Sequence, residues 1–339
     1  MTVISMPRAA GATAPRRRRS RIILARLGGG LAVLVPIVLI STFISYSLGA
    51  LSNSDPAATI LGQDAATPAA VARLNHTLGL DRPLIVQYWS WLSQAVRGNL
   101  GRSYFSQIPV AQSIGQRLPV DLSIAVLAII LAVIIGGGAG TLAAVRRGGW
   151  FDRGVTLACS AASTLPAFVV GIILVVLFAV TAHLLPANGY VGPSTSVTQW
   201  LAHIILPAMA LSLAVSADVA RQLRTSLVEV LEQNYIVGAR VRGLPYRRIL
   251  VRHALRNAAG PALTILGNDF PLMLAGAVAA EAVFSLPGLG QLLLESAQTR
   301  DIPVVQGLLL VVSSFVIVVN LIVNVTLNWL YRTDDGIGA

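Results

Sequence analysis

The chain contains no lysine, and arginine supplies all 25 of its basic residues. This absence excludes the phosphate-binding loop G-x-x-x-x-G-K-[ST], because the lysine of that loop contacts the terminal phosphates of the nucleotide. We therefore predict no nucleotide site and no cofactor in this chain. Any ATP and Mg²⁺ on which the protein depends must be bound by another chain.

Cysteine and histidine are also scarce. The single cysteine, Cys159, lies inside an apolar run, which excludes a disulfide within the chain and a C-x-x-C site. The four histidines are too scattered for a local zinc motif, and neither H-E-x-x-H nor G-x-S-x-G occurs. We predict neither catalytic residues nor a metal site.

Charged residues make up only 12% of the 339 residues, whereas hydrophobic residues make up 55%. Soluble domains carry about 25% charged residues, so this composition indicates an integral membrane protein. A net charge of +11 would favour nucleic acid binding in a soluble chain. Here the arginines flank apolar runs, which is typical of a topology signal, and we predict no nucleic-acid partner.

Six apolar runs are long enough to cross a bilayer, which takes about 20 residues of helix. The basic RRRRSR before the first run resembles the start of a signal peptide, but that run is longer than the usual signal core of about 7 to 15 residues. An anchoring span is therefore favoured. We predict an all-α membrane protein with these six transmembrane helices: Leu27–Ala50, Leu122–Val145, Gly154–Ala182, Trp200–Ala217, Pro261–Ala280 and Pro303–Leu330.

The arginines predict the orientation of the chain. With six spans, both termini share one side with the connections after spans two and four, and nineteen arginines fall on that side. The other six are Arg73, Arg82, Arg97, Arg102, Arg117 and Arg300. Basic residues concentrate on the cytoplasmic side of a membrane, so we predict that both termini are cytoplasmic.

The external connection, Ser52 to Gln116, is long enough to contain helices. Thr67 and Pro68 suit a helix start and Gly79 a helix end, and a second helix is predicted from Asp81–Pro83 to near Gly98. Its apolar positions recur at helical spacing and form one face: Leu84, Tyr88, Leu92, Ala95 and Val96. Trp89 and Trp91 either anchor this helix at the membrane interface or, with Arg102, help to dock an external protein.

The cytoplasmic connection contains YIVGARVRGLPYRRILVRHALRN, from Tyr235 to Asn257. Leu223, Leu227 and Leu231 before it predict a helix that continues the fourth span out of the membrane. Gly243-Leu244-Pro245 then predicts a sharp break, because proline can begin a helix but not continue one. We expect a pair of short helices with an elbow, after which Pro261 begins the fifth span.

The second of these helices is predicted to be amphipathic. Arg248, Arg252 and Arg256 form one stripe, and the other face carries Tyr246, Ile249, Leu250 and Ala254. Such a helix can lie on anionic lipid headgroups. It can also insert into a groove of a protein partner, and a defined elbow favours the second interpretation.

This stretch resembles the coupling loop, or EAA motif, of permease subunits in binding-protein-dependent ABC importers, and specifically the peptide, opine and nickel uptake family. The resemblance rests on an Ala-x-x-x-Gly elbow, Ala239 to Gly243, followed by HALRN at His253–Asn257 and by Pro261. The glutamate and first alanine of the general motif are replaced by Val237 and Gly238.

Further segments resemble this family in the same order along the chain. They are LGLDRPLIVQYWSWL, GNLGRSY, RLPVDLSIA, HIILPAMAL, EAVFSLPGLGQLL and RDIPVVQG, between Leu78 and Gly307. EAVFSLPGLGQLL is similar to an external re-entrant segment that follows the fifth span. Family members usually carry tryptophan where Leu286 stands.

The resemblance implies a type I ABC importer permease fold with a core at residues 117–332 and a coupling loop at about 222–260. Before the core lie a basic tail at 1–26, the first span at 27–50 and the external loop at 51–116, and a cytoplasmic tail at 333–339 follows it. The implied partners are a second, homologous permease, two cytoplasmic ATPase subunits and an external binding protein. The residues implied in ATPase coupling are Ala239, Arg240, Arg242, Gly243, Leu244, Pro245, Arg248 and His253.

The substrate path has one unusual residue, because Asp269 is the only acid inside a predicted span. An intramembrane acid is a candidate functional residue. Asp269 either faces the pore, where it could contact a peptide amino terminus, or, with Asn268, faces the partner permease or pairs with an arginine. The other candidate path or gate residues are Glu281, Phe284, Pro287 and Gly288. Asp218 is expected to form an ion pair with Arg221.

We predict a bacterial cell-membrane permease that carries short peptides, with nickel chelates, opines or haem as alternative substrates. A secondary transporter working alone is a further alternative. It is disfavoured because such proteins carry ionisable residues in several spans.

Overall fold

The computed structural model describes residues 35–49 and 56–331, and these residues are almost entirely helical. The predicted basic tail at 1–26, the start of the first span and the tail at 333–339 lie outside the described residues. Within the described part of the chain there is no β-strand, and one isolated antiparallel bridge joins Arg102 to Pro109. The all-α prediction is confirmed.

Twelve helices follow one another along the described residues. The first four are α1 (Val35–Gly49), α2 (Pro56–Ala65), α3 (Pro68–Leu78) and α4 (Leu84–Val96). The next four are α5 (Val110–Val145), α6 (Trp150–Thr164), α7 (Ala167–Thr181, π-helical from Val175) and α8 (Val197–Leu231). The last four are α9 (Asn234–Val241), α10 (Tyr246–Phe284, π-helical at Ile249–Ala254), α11 (Leu289–Thr299) and α12 (Ile302–Tyr331).

Four of these helices, α5, α8, α10 and α12, are long and apolar enough to cross a membrane. The bent pair α6 and α7 passes the same test only when the two helices are taken together. Helix α1 is a shorter apolar helix within the described residues. The count of six spans therefore stays a prediction.

The third predicted span, Gly154–Ala182, is not one straight helix. It is divided into α6 and α7, and the helix axis bends by 106° between them. Pro166 causes the break, because proline has no amide hydrogen to donate and disfavours helical geometry in the residue before it. Leu165 accordingly has an extended backbone, with φ −84° and ψ 123°.

The other long helices begin earlier or end later than the apolar runs suggest. Helix α8 is continuous to Leu231, which confirms the extension predicted from the leucine repeat. Helix α5 begins at Val110, so that Asp121 lies inside it. The second helix of the predicted elbow is not a separate short helix, which is a correction, because α10 continues from Tyr246 to Phe284 and Pro261 lies within it.

Helices α5 and α8 pack closely through two glycines. A β-carbon on Gly136 would lie 2.5 Å from the carbonyl oxygen of Ser216, and one on Gly140 would lie 2.6 Å from that of Ala220. Only glycine permits this approach of two backbones. The surrounding core contains fully buried side chains from α8 and α10, among them Leu206, Leu227 and Phe284.

The predicted external loop contains both expected helices. Thr67 caps α3, with its hydroxyl oxygen accepting from the amide of Ala70 at 3.3 Å, and Gly79 ends it in the left-handed conformation. In α4, Tyr88, Leu92 and Ala95 of the predicted apolar face are buried, but Val96 is 80% exposed. Val96 is the last residue of the helix, and its position is turned about 100° from that of Ala95. Helix α2 was not predicted.

Candidate functional site

The elbow between α9 and α10 has the predicted geometry. Gly243 adopts φ +76°, a left-handed conformation that glycine reaches without strain. The amides of Gly243 and Leu244 donate to the carbonyls of Arg240 and Ala239, at 2.9 and 3.2 Å, and so close the end of α9. Pro245 then precedes the first turn of α10.

The inner face of the elbow is anchored in the main core. Ile236 and Ala239 of α9 are buried there together with Ile249 and Ala254 of α10. The side-chain amide of Asn257 also donates to the hydroxyl of Tyr235 at 2.8 Å, which joins the two helices. Ala239 therefore packs inside, whereas most of the other predicted coupling residues are on the surface.

The outer face of the elbow combines apolar and cationic side chains. Val241 is 82% exposed and Val251 is 64% exposed. Tyr246, predicted on the apolar face with Ile249, Leu250 and Ala254, is instead exposed at the start of α10. The predicted coupling residues on this surface are Arg240, Arg242, Gly243, Pro245 and Arg248, whereas Leu244 and His253 are half-buried.

The extension of α8 that leads to the elbow is braced by a buried ion pair that the sequence did not predict. Arg224 donates from Nε and Nη2 to the carboxylate of Asp152, at 2.7 and 2.6 Å. Asp152 is only 3% exposed and also accepts from the amide of Gly148 at 2.9 Å. Arg147 and Glu232 form a second, exposed pair. The base of the elbow is therefore tied to the start of α6.

A second break separates α10 from α11, and a buried carboxylate organises it. Glu281, which is 2% exposed, accepts from the amides of Gly290 and Gln291 at 3.2 and 2.8 Å. Asp121 of α5 accepts from the amide of Leu289 at 2.8 Å. The first amides of a helix have no partner within it, and carboxylates stabilise them. The two acids thus cap the start of α11.

Asp121 and Glu281 also line the same cavity, of about 230 Å³. Sequence reasoning identified Glu281 but missed Asp121, which is 160 residues away in the chain. The available signal was an acid at the edge of an apolar run, in RLPVDLSIA.

The carboxylate of Glu281 also explains the glycines of SLPGLG. A β-carbon on Gly288 would lie 2.5 Å from Oε2 of Glu281, and one on Gly290 would lie 2.8 Å from the backbone of Val278. Of the predicted gate residues, Gly288 is therefore in contact with Glu281. Phe284 is buried in the core against Gly171, and Pro287 is exposed.

Asp269 lies elsewhere, at a cavity of about 370 Å³ beside the bend between α6 and α7. Its Oδ2 is buried and has no hydrogen-bond partner among the described residues. Asp218 lines the same cavity and forms the predicted ion pair with Arg221. Asn268 is exposed and does not line this cavity. Asp269 and Glu281 therefore belong to different cavities.

The three predicted external docking residues are not all together. Trp91 and Arg102 line one cavity between α3 and α4, whereas Trp89, 60% exposed, does not. The loop beside them is fixed by Asp301, which accepts from the hydroxyl of Ser103 at 2.5 Å and from the amide of Tyr104 at 3.1 Å. Burial raises the pKa of the Tyr104 phenol.

Among the described residues, no group of three His, Cys, Asp or Glu side chains could hold a metal ion. The polar groups of the site instead serve helix ends and ion pairs. The geometry is that of an apolar helical body with an exposed elbow on a braced base.

Comparison with known families agrees with this geometry. Residues 136–333 match the family described as binding-protein-dependent transport system inner membrane component, and residues 20–125 match the N-terminal domain of such components. The chain belongs to this family and is a multi-pass membrane permease.

Individual relatives are similar over most of the chain. A peptide ABC transporter permease protein of Sinorhizobium fredii is 39% identical over 302 residues, which cover 89% of this chain and 95% of the relative. A peptide transport system permease protein of Brucella abortus is 39% identical over 291 residues, 86% of this chain and 92% of the relative. The glutathione transport system permease protein GsiC of Escherichia coli is 38% identical over 293 residues, with the same two coverages.

Proposed function

We propose that this chain is the permease subunit of an ATP-driven importer of short peptides. The observation that carries the proposal is the elbow, an exposed apolar and cationic surface on a base anchored in the core. The names of the relatives, peptide and glutathione transport permeases, support a short peptide as the substrate. Nickel chelates, opines and haem are the alternative substrates.

The assembly proposed for this chain contains a second homologous permease, two ATPase subunits and an external binding protein. ATP and Mg²⁺ are bound by the ATPases, because the chain lacks the lysine of a phosphate-binding loop. The excess of arginine on one side supports cytoplasmic termini and a cytoplasmic elbow. Trp89, Trp91 and Arg102 then belong to the external face, where the binding protein docks.

The elbow enters a cleft of an ATPase in this proposal. Val241 and Val251 supply apolar contact area, and the surrounding arginines favour an acidic rim on the partner. Closure of the ATPases on nucleotide then moves the elbow as a rigid body. The core packing of Ile236 and Ile249 passes that movement to α8 and α10.

Asp269 is the proposed contact for a positive charge on the substrate. Its buried, unpartnered oxygen at a cavity supports this role, because a carboxylate in apolar surroundings is costly without a partner. The amino terminus of a peptide supplies such a partner.

The decisive test places a large cation on the elbow. We expect Gly243→Arg to leave the protein in the membrane and to abolish substrate-dependent ATPase activity of the reconstituted complex. Gly62→Arg is the matched control, since Gly62 in α2 also has a positive φ, +72°, and open space around it, and it belongs to neither the elbow nor its brace. Normal stimulation in the Gly243 variant, or equal loss in both variants, contradicts the coupling role.

A further inference from the structure

A cavity of about 480 Å³ lies between α3, α4, the loop that follows α4 and the start of α12. Its volume falls in the range of small-ligand sites, about 300 to 1,000 Å³. Neither the elbow nor the break at Glu281 contributes a residue to it. The function proposed above assigns Trp91 and Arg102 of its lining to the docking face of the binding protein, but gives the cavity itself no small ligand.

The lining of the cavity has a one-sided charge. It contains Arg82, Arg102 and His76, but no Asp or Glu. His76 is hydrogen bonded to Asp81 at 2.8 Å, and this bond lowers the pKa of the Asp81 carboxyl. Neither arginine has an ion-pair partner among the described residues. Both arginines therefore line the cavity without a direct ion pair, and the acid that acts on Arg82, Asp81, is bonded to His76.

The frame that holds these groups is ordered by hydrogen bonds. Arg102 donates from Nη1 to the carbonyl of Gln107 at 2.9 Å, which fixes one side of its guanidinium. The chain around Arg102 is held by the bond between Ser103 and Asp301. The side chain of Arg82 lies against Gly79, with Nε 3.9 Å from where a β-carbon would be. Arg102 is thus positioned before any ligand arrives, whereas the exposed side chain of Arg82 is free to adjust to it.

The remaining walls supply both apolar surface and neutral donors. Leu78, Leu100 and Ile302 are apolar lining residues. Gln94 and Trp91 lie beside them, and the indole nitrogen of Trp91 is buried without a partner among the described residues. A ligand that combines one anionic group with a small uncharged body fits this arrangement.

We propose that this cavity binds the C-terminal carboxylate of a short peptide, with Arg82 and Arg102 as its cationic contacts. Guanidinium groups bind carboxylates through paired hydrogen bonds, and a concave wall of this volume suits a small ligand better than a protein surface. The choice of a peptide rests on the proposed function, whereas the carboxylate rests on the cavity itself. The site would receive substrate on the face opposite the elbow.

The test uses two probes that differ in one group. Acetyl-dialanine carries a free carboxylate, and acetyl-dialanine amide does not; both lack an amino terminus, so Asp269 cannot contribute to their binding. Binding to the purified complete complex in nanodiscs, without the binding protein, is measured by saturation-transfer NMR. We expect the amide to bind about tenfold more weakly, the effect of losing charge-assisted hydrogen bonds.

The variant for this test is Arg82→Gln/Arg102→Gln, which should lose the preference for the acid. Its matched control is Arg73→Gln/Arg97→Gln, two exposed arginines of the same region that do not line the cavity and should leave the preference unchanged. The comparison of acid with amide on the unmodified complex needs no variant, and so remains informative if the double variant does not fold.

Equal binding of acid and amide to the unmodified complex overturns the site. Weaker docking of the binding protein to the double variant, without any binding of the acid probe, also overturns it, because the cavity would then serve a protein partner. Peptide uptake by the same complex, reconstituted into sealed proteoliposomes with its binding protein added, separates this outcome from failure of the proposed function. Uptake with no acid preference contradicts only the carboxylate site, and absence of uptake contradicts the function.

Discussion

The two helix breaks, at Gly243 and at Gly288, look alike in sequence and differ in physical cause. RGLPY and SLPGLG both combine glycine, leucine and proline. Gly243 has φ +76° and nothing within 4 Å of its β-carbon position, so its backbone needs glycine but its surroundings do not. Gly288 has an ordinary extended backbone, φ −95° and ψ −176°, but the carboxylate of Glu281 occupies the space of a side chain.

The difference shows that the break at Gly243 forms an exposed surface, whereas the break at Gly288 lies inside the subunit. At Gly243 the chain turns in the open and presents its neighbours outward, which suits contact with another subunit. At Gly288 the chain turns around buried acids, which suits the position of a helix inside the same subunit. Glycine at a break therefore does not by itself indicate an interface.

The largest expected effect is that of Glu281→Ala, which removes the buried acid from the break at Gly288. Two amides of α11, those of Gly290 and Gln291, then lose their acceptor. Unsatisfied buried groups cost about 1 to 3 kcal/mol each, so we expect a loss of about 3 kcal/mol in the free energy of unfolding. The measurement is thermal unfolding of the purified complex. It is monitored by the labelling of the Cys159 thiol, which is buried in the folded chain.

Glu295→Ala is the control on the same helix, because Glu295 forms only an exposed ion pair with Arg117. Such a pair contributes about 0 to 1 kcal/mol. Glu281→Gln keeps one acceptor oxygen and should fall between the alanine variant and the unmodified chain. A Glu281→Ala protein as stable as its Glu295→Ala counterpart would show that the cap is dispensable.

A methyl group added at Gly288 should have a smaller effect on the free energy of unfolding. Gly288→Ala forces the new carbon against the carboxylate of Glu281, and overpacking of this kind costs about 1 to 3 kcal/mol. Because the obstacle is a side chain, Gly288→Ala combined with Glu281→Ala should cost less than the sum of the two single changes. Additive losses in the same unfolding assay would place the strain elsewhere.

A methyl group added at Gly243, where the surrounding space is open, should have the smallest effect. Gly243→Ala has room for its side chain and loses only about 1 kcal/mol to the left-handed backbone. We expect substrate-stimulated ATPase activity within about twofold of the unmodified complex, because 1 kcal/mol of backbone strain leaves the elbow formed. A loss as large as that expected for Gly243→Arg would mean that the exact turn, and not the space in front of it, decides coupling.

Local signals in the sequence predicted several local features correctly. Thr67 and Gly79 marked the ends of α3, the leucine repeat extended α8, and Gly243 to Pro245 marked the elbow. Each depends on backbone geometry within a few residues. Hydropathy gave the membrane character for the same reason, since it is a property of each run by itself.

Features that depend on distant residues were missed. Asp121 of α5 and Glu281 of α10 meet at the start of α11, and Asp152 of α6 is paired with Arg224 of α8; no spacing in the sequence encodes either contact. The two prolines are a different case, because Pro166 breaks its helix and Pro261 does not. The presence of a proline in the sequence therefore does not by itself predict a helix break.

Helix α10 connects the break at Gly243 to the break at Gly288, one at each of its ends. It has 39 residues, and a helix of that length extends about 58 Å. A tilt of about 5° about one end moves the other end by about 5 Å, roughly one helical turn. Pro261 and Pro271, which lack amide hydrogens, are the points where this arm can bend. The stiffness of α10 at Pro261 and Pro271 therefore determines how much of a small displacement at the elbow is transmitted to Glu281 at the other end of the helix.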